Sequence, residues 1–166
     1  AGLTVTVEPI KTFPLIRDLV TDVSWNYRVN KKIPPFKPKP KNRNGTWRMM
    51  QYEIDRVQEF RKCIECFLCQ DVCHVLRNSE KHEEFYGPRF MVRLAGLEMH
   101  PLDAEDRTEL IKKAAGIGFC NITKCCTEVC PEDIQITDNA IIPLKERVAD
   151  RFYDPVTWLF RVLRGK

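Results

Sequence analysis

Long apolar runs are missing from this 166-residue chain. No stretch approaches the about 18 consecutive apolar residues that a bilayer-crossing helix needs, so the chain is not expected to span a membrane. Glycine is scarce, with seven residues, and none belongs to a Gly-rich turn that could cradle a phosphate. No hydroxyl or thiol stands in sequence pattern with a partner base, so covalent substrate chemistry on side chains is not expected. Neither sign of charge dominates: 27 Lys and Arg against 23 Asp and Glu leave a formal charge of +4, too mild for a nucleic-acid binder. The start also lacks the basic and apolar segments of a secretory signal.

What is present is 43% hydrophobic residues, enough for a globular core, and eight cysteines. The length predicts one domain with room for an appendage. Disulfide frameworks belong mostly to shorter secreted chains, so these thiols are expected to stay reduced, in an intracellular compartment. The chain opens at Ala1, just before an apparent strand, Thr4-Val5-Thr6-Val7-Glu8, with no partner nearby. It reads as a trimmed piece of something longer.

The cysteines form two runs, Cys63-x2-Cys66-x2-Cys69-x3-Cys73 and Cys120-x2-Thr123-x2-Cys126-x3-Cys130-Pro131. The second has the spacing of the first, with threonine where a second cysteine would stand. A zinc site usually pairs two short Cys knuckles, a pattern these triples do not follow, although a zinc-stapled interaction protein stays among the rival readings. The doubled run resembles that of bacterial ferredoxins with two cubane clusters, in which the fourth cysteine of each run ligates the other cluster. That resemblance implies a [4Fe-4S] cluster on Cys63, Cys66, Cys69 and Cys130, and a [3Fe-4S] cluster on Cys73, Cys120 and Cys126. A threonine hydroxyl is a poor replacement for thiolate on a soft iron–sulfur corner. Cys125 falls out of register and reads as a free buried thiol, with a rearranged Cys120-x4-Cys125 pairing as the alternative.

Around and between these runs the pattern is mostly helical. Pro14 to Val23 is expected to start a helix with Leu15, Ile16, Leu19 and Val20 on one face. Lys31 to Arg43 is rich in Pro and Lys and reads as an extended, semi-rigid connector. A helix is expected over 49–62, leading into the first run. Another opens at Gly87-Pro88, with Phe90, Leu94 and Leu97 on one stripe, and ends before Pro101. Asp103 is expected to N-cap the next helix, through about Ala115, with Gly116 and Gly118 closing it. Asp154-Pro155 is expected to start a last helix with Val156, Leu159, Phe160 and Leu163 as its stripe; its basic end also suits a membrane surface. His82 and His100 read as surface residues.

The order of these features resembles the iron–sulfur subunit of the succinate dehydrogenase and fumarate reductase family, over the C-terminal part of that subunit. The likeness rests on Thr6-Val7-Glu8-Pro9-Ile10 with Phe13-Pro14-Leu15-Ile16-Arg17-Asp18-Leu19-Val20, on Glu59 to Cys66, on Tyr86-Gly87-Pro88-Arg89-Phe90, and on Cys120-x5-Cys126-x3-Cys130-Pro131. It implies an all-α fold: a helical two-cluster ferredoxin-like domain over 49–166, preceded by a strand, helix and linker remnant over 1–48. It implies an electron-transfer subunit of succinate dehydrogenase that carries electrons from a flavoprotein to membrane quinone beside cytochrome b-type anchor subunits. The place implied is peripheral, on the inner face of a respiratory membrane. The [2Fe-2S] cluster of the family has no counterpart here and is expected on a missing domain or another chain. His74, Asn121 and Thr123 are the implied quinone-proximal residues. His74, Asn78 and Asn121 stand where the family commonly has Pro, Trp and His. The rival reading is a two-cluster ferredoxin, or the electron-delivery subunit of a fumarate reductase or heterodisulfide-reductase-like enzyme.

Overall fold

The computed structural model describes residues 2–155. Among them the regular structure is helical, apart from one two-stranded ribbon. The stripe expected after Asp154-Pro155 lies outside the described residues.

The N-terminal part departs from expectation twice. Thr4 to Glu8 forms no strand and is exposed, because an alternating segment needs a partner ladder to become one. Pro14 to Val23 is a hairpin, β1 Leu15–Arg17 against β2 Val20–Thr21, rather than a helix. Asp18 turns it with a φ of 51°, a conformation that Asp tolerates. The Asp22 amide closes it on the Pro14 carbonyl at 2.8 Å. Leu15, Ile16, Leu19 and Val20 therefore point to solvent. A helix that sequence periodicity does not signal, α1 Ser24–Lys32, follows and seats Val29 in the core.

The helical body then assembles around the cysteine runs. α2 Gln51–Gln58 starts with Glu53 accepting from the Met50 amide (2.7 Å) and continues as a 3-10 turn to Lys62. α3 Leu68–Asp71 and α4 His74–Arg77 are single turns within and after the first run. α5 Pro88–Glu98 is the central element, burying Phe90, Met91, Val92, Leu94 and Ala95. At about 1.5–3 kcal/mol for each large apolar side chain, it anchors the fold. It packs on a wide-turned π segment, Ile136–Ile141, that runs into α8 Ile142–Phe152.

The helix expected from Asp103 begins later, as α6 Thr108–Lys112. Asp103 is buried and used otherwise. Its carboxylate pairs with Arg107 at 3.0 Å and accepts from the Lys37 and Glu105 amides. Asp106 takes over the start of α6, accepting from the Thr108 amide at 3.0 Å and its hydroxyl at 2.7 Å. Arg107, fully buried, also donates to the Pro34 and Pro35 carbonyls at 3.0 and 2.6 Å. The Pro/Lys-rich segment is thus strapped to the body, with one bridge between Pro38 and Asp103.

Removing Arg107 strands a buried carboxylate and two proline carbonyls. Arg107→Met is expected to cost about 3–5 kcal/mol, measurable as a lower apparent Tm, whereas the exposed Lys113→Met should leave Tm nearly unchanged.

Candidate metal centre

The two cysteine runs share one backbone. Each is preceded by a 3-10 turn, Glu59–Lys62 in the first and Ile117–Phe119 in the second. Glu65 and Phe67 have φ of 58° and 64°, and Ile122 and Lys124, 57 residues on in each case, have 60° and 63°. A single turn follows both, α3 and then α7 Cys125–Glu128. Its hydrogen bonds repeat at the same lengths: Gln70 N to Phe67 O and Thr127 N to Lys124 O are both 2.9 Å. Superposing the repeats sets Cys63 on Cys120, Cys66 on Thr123, Leu68 on Cys125, Cys69 on Cys126 and Cys73 on Cys130. Four non-glycine residues in the left-handed region are costly, and such strain concentrates at functional loops.

The fold crosses the runs. Cys63, Cys66, Cys69 and Cys130 line one cavity, closed by Val92, Pro131, Ile134 and Ile136. Burial, and then the neighbouring thiols Cys126, Cys63, Cys66 and Cys130, push Cys69 well above the usual thiol range. The second group gathers Cys73, Cys120, Cys125 and Cys126. Burial first, with the thiols of Cys120 and Cys125 adding to it, pushes Cys73 up to about 11. Burial also raises Cys126; a hydrogen bond with Thr137 opposes that, and Cys125 and Cys120 add to it. Cys69 and Cys126, at the third register position of the two runs, are where the groups meet.

This donor set suits iron–sulfur clusters, whose usual ligands are Cys thiolates. Among the described residues no three thiols, imidazoles or carboxylates converge as the shell of a single metal ion. Thiols held neutral by burial must lose their protons to bind iron, so metal binding and proton release are linked here.

The comparisons with known proteins agree with that chemistry. A 4Fe-4S dicluster domain model matches residues 59–134. The chain is 31% identical over 138 residues to the fumarate reductase iron–sulfur subunit of Mycobacterium tuberculosis, covering 78% of this chain and 53% of that protein. To the succinate dehydrogenase iron–sulfur subunit of Bacillus subtilis it is 29% identical over 140 residues, covering 79% and 53%. Among solved structures, a chain of the Mycobacterium smegmatis Sdh1 complex in the apo form matches with 61% identity and a TM-score of 0.84, over 90% of this chain and 63% of that one. Over most of its length the chain is thus similar to iron–sulfur subunits of succinate dehydrogenases and fumarate reductases. It spans about half the length of the curated relatives it matches. No helix among the described residues is long and apolar enough to cross a membrane.

The remaining candidates divide by exposure. His74 is exposed at the start of α4, and Asn121 and Thr123 are exposed in the second loop. Asn78 is exposed just beyond α4. The surface reading of the other two histidines does not hold. His82 is half-buried, edge-on to Trp25 at 5.1 Å, and His100 is half-buried against Phe36, its Nδ1 accepting from the Leu102 amide. Cys125 is half-buried rather than buried.

Several polar residues around the thiols escaped the sequence reading. Thr137, buried, lies with its hydroxyl 3.5 Å from Cys126 Sγ and 3.1 Å from Thr127 Oγ1. Nothing in the pattern of an isolated Thr could single it out. Gln70, buried, donates to the Tyr86 carbonyl at 3.1 Å. Arg89, buried beside the first cavity, pairs with Glu65. Its signal was present, since a basic residue in the first turn opposes the helix dipole and implies another constraint.

The second loop depends on Gly116, at φ +60°, where an added Cβ would sit 1.7 Å from the Glu84 carbonyl oxygen. Gly116→Ala should loosen this loop alone. Iodoacetamide labelling of Cys126 is expected to quicken at least about ten-fold, the effect of about 1.4 kcal/mol less protection, with Cys69 labelling far less changed.

Proposed function

We propose that this chain is the electron-transfer iron–sulfur subunit of a succinate dehydrogenase, passing electrons from a flavoprotein through [4Fe-4S] and [3Fe-4S] clusters to membrane quinone. The single observation that carries this reading is the register of the two loops, with Thr123 at the position of Cys66 in a backbone that otherwise repeats. On this reading Cys63, Cys66, Cys69 and Cys130 hold the four-iron cluster, and Cys73, Cys120 and Cys126 the three-iron one. The clusters supply one-electron redox steps at potentials the protein tunes. The chain's own residues exclude water, fix the spacing of the two groups through Cys69 and Cys126, and supply hydrogen bonds to sulfur. Thr137 does this at Cys126, and the Arg89 charge lies beside the four-iron site.

The 61% identity to a chain of an Sdh1 complex supports succinate dehydrogenase over fumarate reductase. A flavoprotein and cytochrome b-type anchor subunits are the proposed partners, on the inner face of a respiratory membrane, with the [2Fe-2S] cluster on sequence outside this chain. His74, Asn121 and Thr123, all exposed, are the proposed approach to quinone. A two-cluster ferredoxin would require a thiol where Thr123 stands.

Electron paramagnetic resonance of the purified complex tests the reading. The oxidised protein is expected to show a three-iron signal that fades on reduction, and Thr123→Cys is expected to replace it with a second four-iron signal. A spectrum unmoved by that substitution would overturn the ligand register. Thr137→Val removes a hydrogen bond to a ligand sulfur and should lower the potential of the three-iron cluster. The expected fall is roughly 40 mV, from about 1 kcal/mol for the bond and about 59 mV per tenfold in a one-electron couple.

A further inference from the structure

We propose that Cys125 is a reserve ligand of the second thiol group, able to bind a fourth iron at the corner where Thr123 offers no thiol. This rests on the three-iron reading above. The loop itself does not ask for a thiol at this position, because the same position in the first loop is Leu68, 38% exposed. Cys125 is instead half-buried and turned into the group. Its Sγ lies 3.2 Å from the Thr123 hydroxyl and donates to the Val72 carbonyl at 3.3 Å. It therefore touches both the residue in the vacant ligand register and the residue preceding Cys73. The thiol is thus the fourth sulfur of its group, against four in the other.

What holds Cys125 away from ligation is small. Thiols are weak hydrogen-bond donors and acceptors, and a change of χ1 rotamer releases both contacts. The step balances with ferrous iron as the co-reactant. A reduced three-iron core, [3Fe-4S]0, takes up Fe2+ to become [4Fe-4S]2+, while the Cys125 Sγ–H proton passes to solvent and an Fe–Sγ bond forms. An oxidised core first takes one electron, which dithionite provides. Thiolate outcompetes the Thr123 hydroxyl for that iron by softness.

The test uses the purified complex, incubated anaerobically with Fe2+ and dithionite, desalted, and mildly reoxidised. The wild type is expected to lose its three-iron signal by at least about ten-fold and gain about one iron per chain. Cys125→Ala and Cys125→Leu should keep the signal; the Leu variant restores the first loop's residue, and an unchanged four-iron signal from the first site reports that it folds. Equal conversion in these variants, or none in the wild type, overturns the proposal. A wild type with no three-iron signal from the outset, beside variants that have one, supports Cys125 ligation and instead removes the three-iron resting state. Absence of the signal from every form overturns both readings.

Discussion

Each cysteine loop completes the other, and the rest of the fold is arranged to make that exchange possible. Cys130 must leave the second loop to join Cys63, Cys66 and Cys69, and Cys73 must leave the first to join Cys120 and Cys126. The two loops can satisfy this only back to back, with α3 against α7. The left-handed residues Glu65, Phe67, Ile122 and Lys124 bend both backbones to the same shape. Their conformations disfavour the chain without metal, and metal–thiolate bonding offsets that. The thiol groups thus join segments far apart in sequence.

Packing then keeps the loops in place. α5 runs behind the first cavity, contributing Val92 to its wall and Arg89 beside it. The π segment closes the other side with Ile136 and brings Thr137 to Cys126. Such wide turns recur at functional positions because they re-aim side chains without ending the helix. Farther off, the buried Arg107–Asp103 pair ties the proline segment to the body, where its value is positional more than energetic.

The helical class, the start of α5 at Pro88 and the helix before Cys63 were legible because each combines periodic apolar residues with a terminus signal. The hairpin at Leu15–Thr21 was not. Four apolar residues at helical spacing suggested a buried face, but Asp18 takes a left-handed turn and the apolar side chains stay in water. Asp103 looked like a cap because its composition fits one. Arg107, four residues later, competes for its carboxylate inside the core. Half-burial of His82 and His100 likewise came from aromatic neighbours distant in sequence.

The sequence by itself determined the number of thiols, their spacing and the place of Thr123, because short loops convert residue intervals directly into ligand geometry. Only the tertiary structure decided that the out-of-register Cys125 faces Thr123 and the Val72 carbonyl, 53 residues away. Local spacing sets what a loop can hold. Contacts between loops arise from how helices pack, and no interval along the chain encodes them.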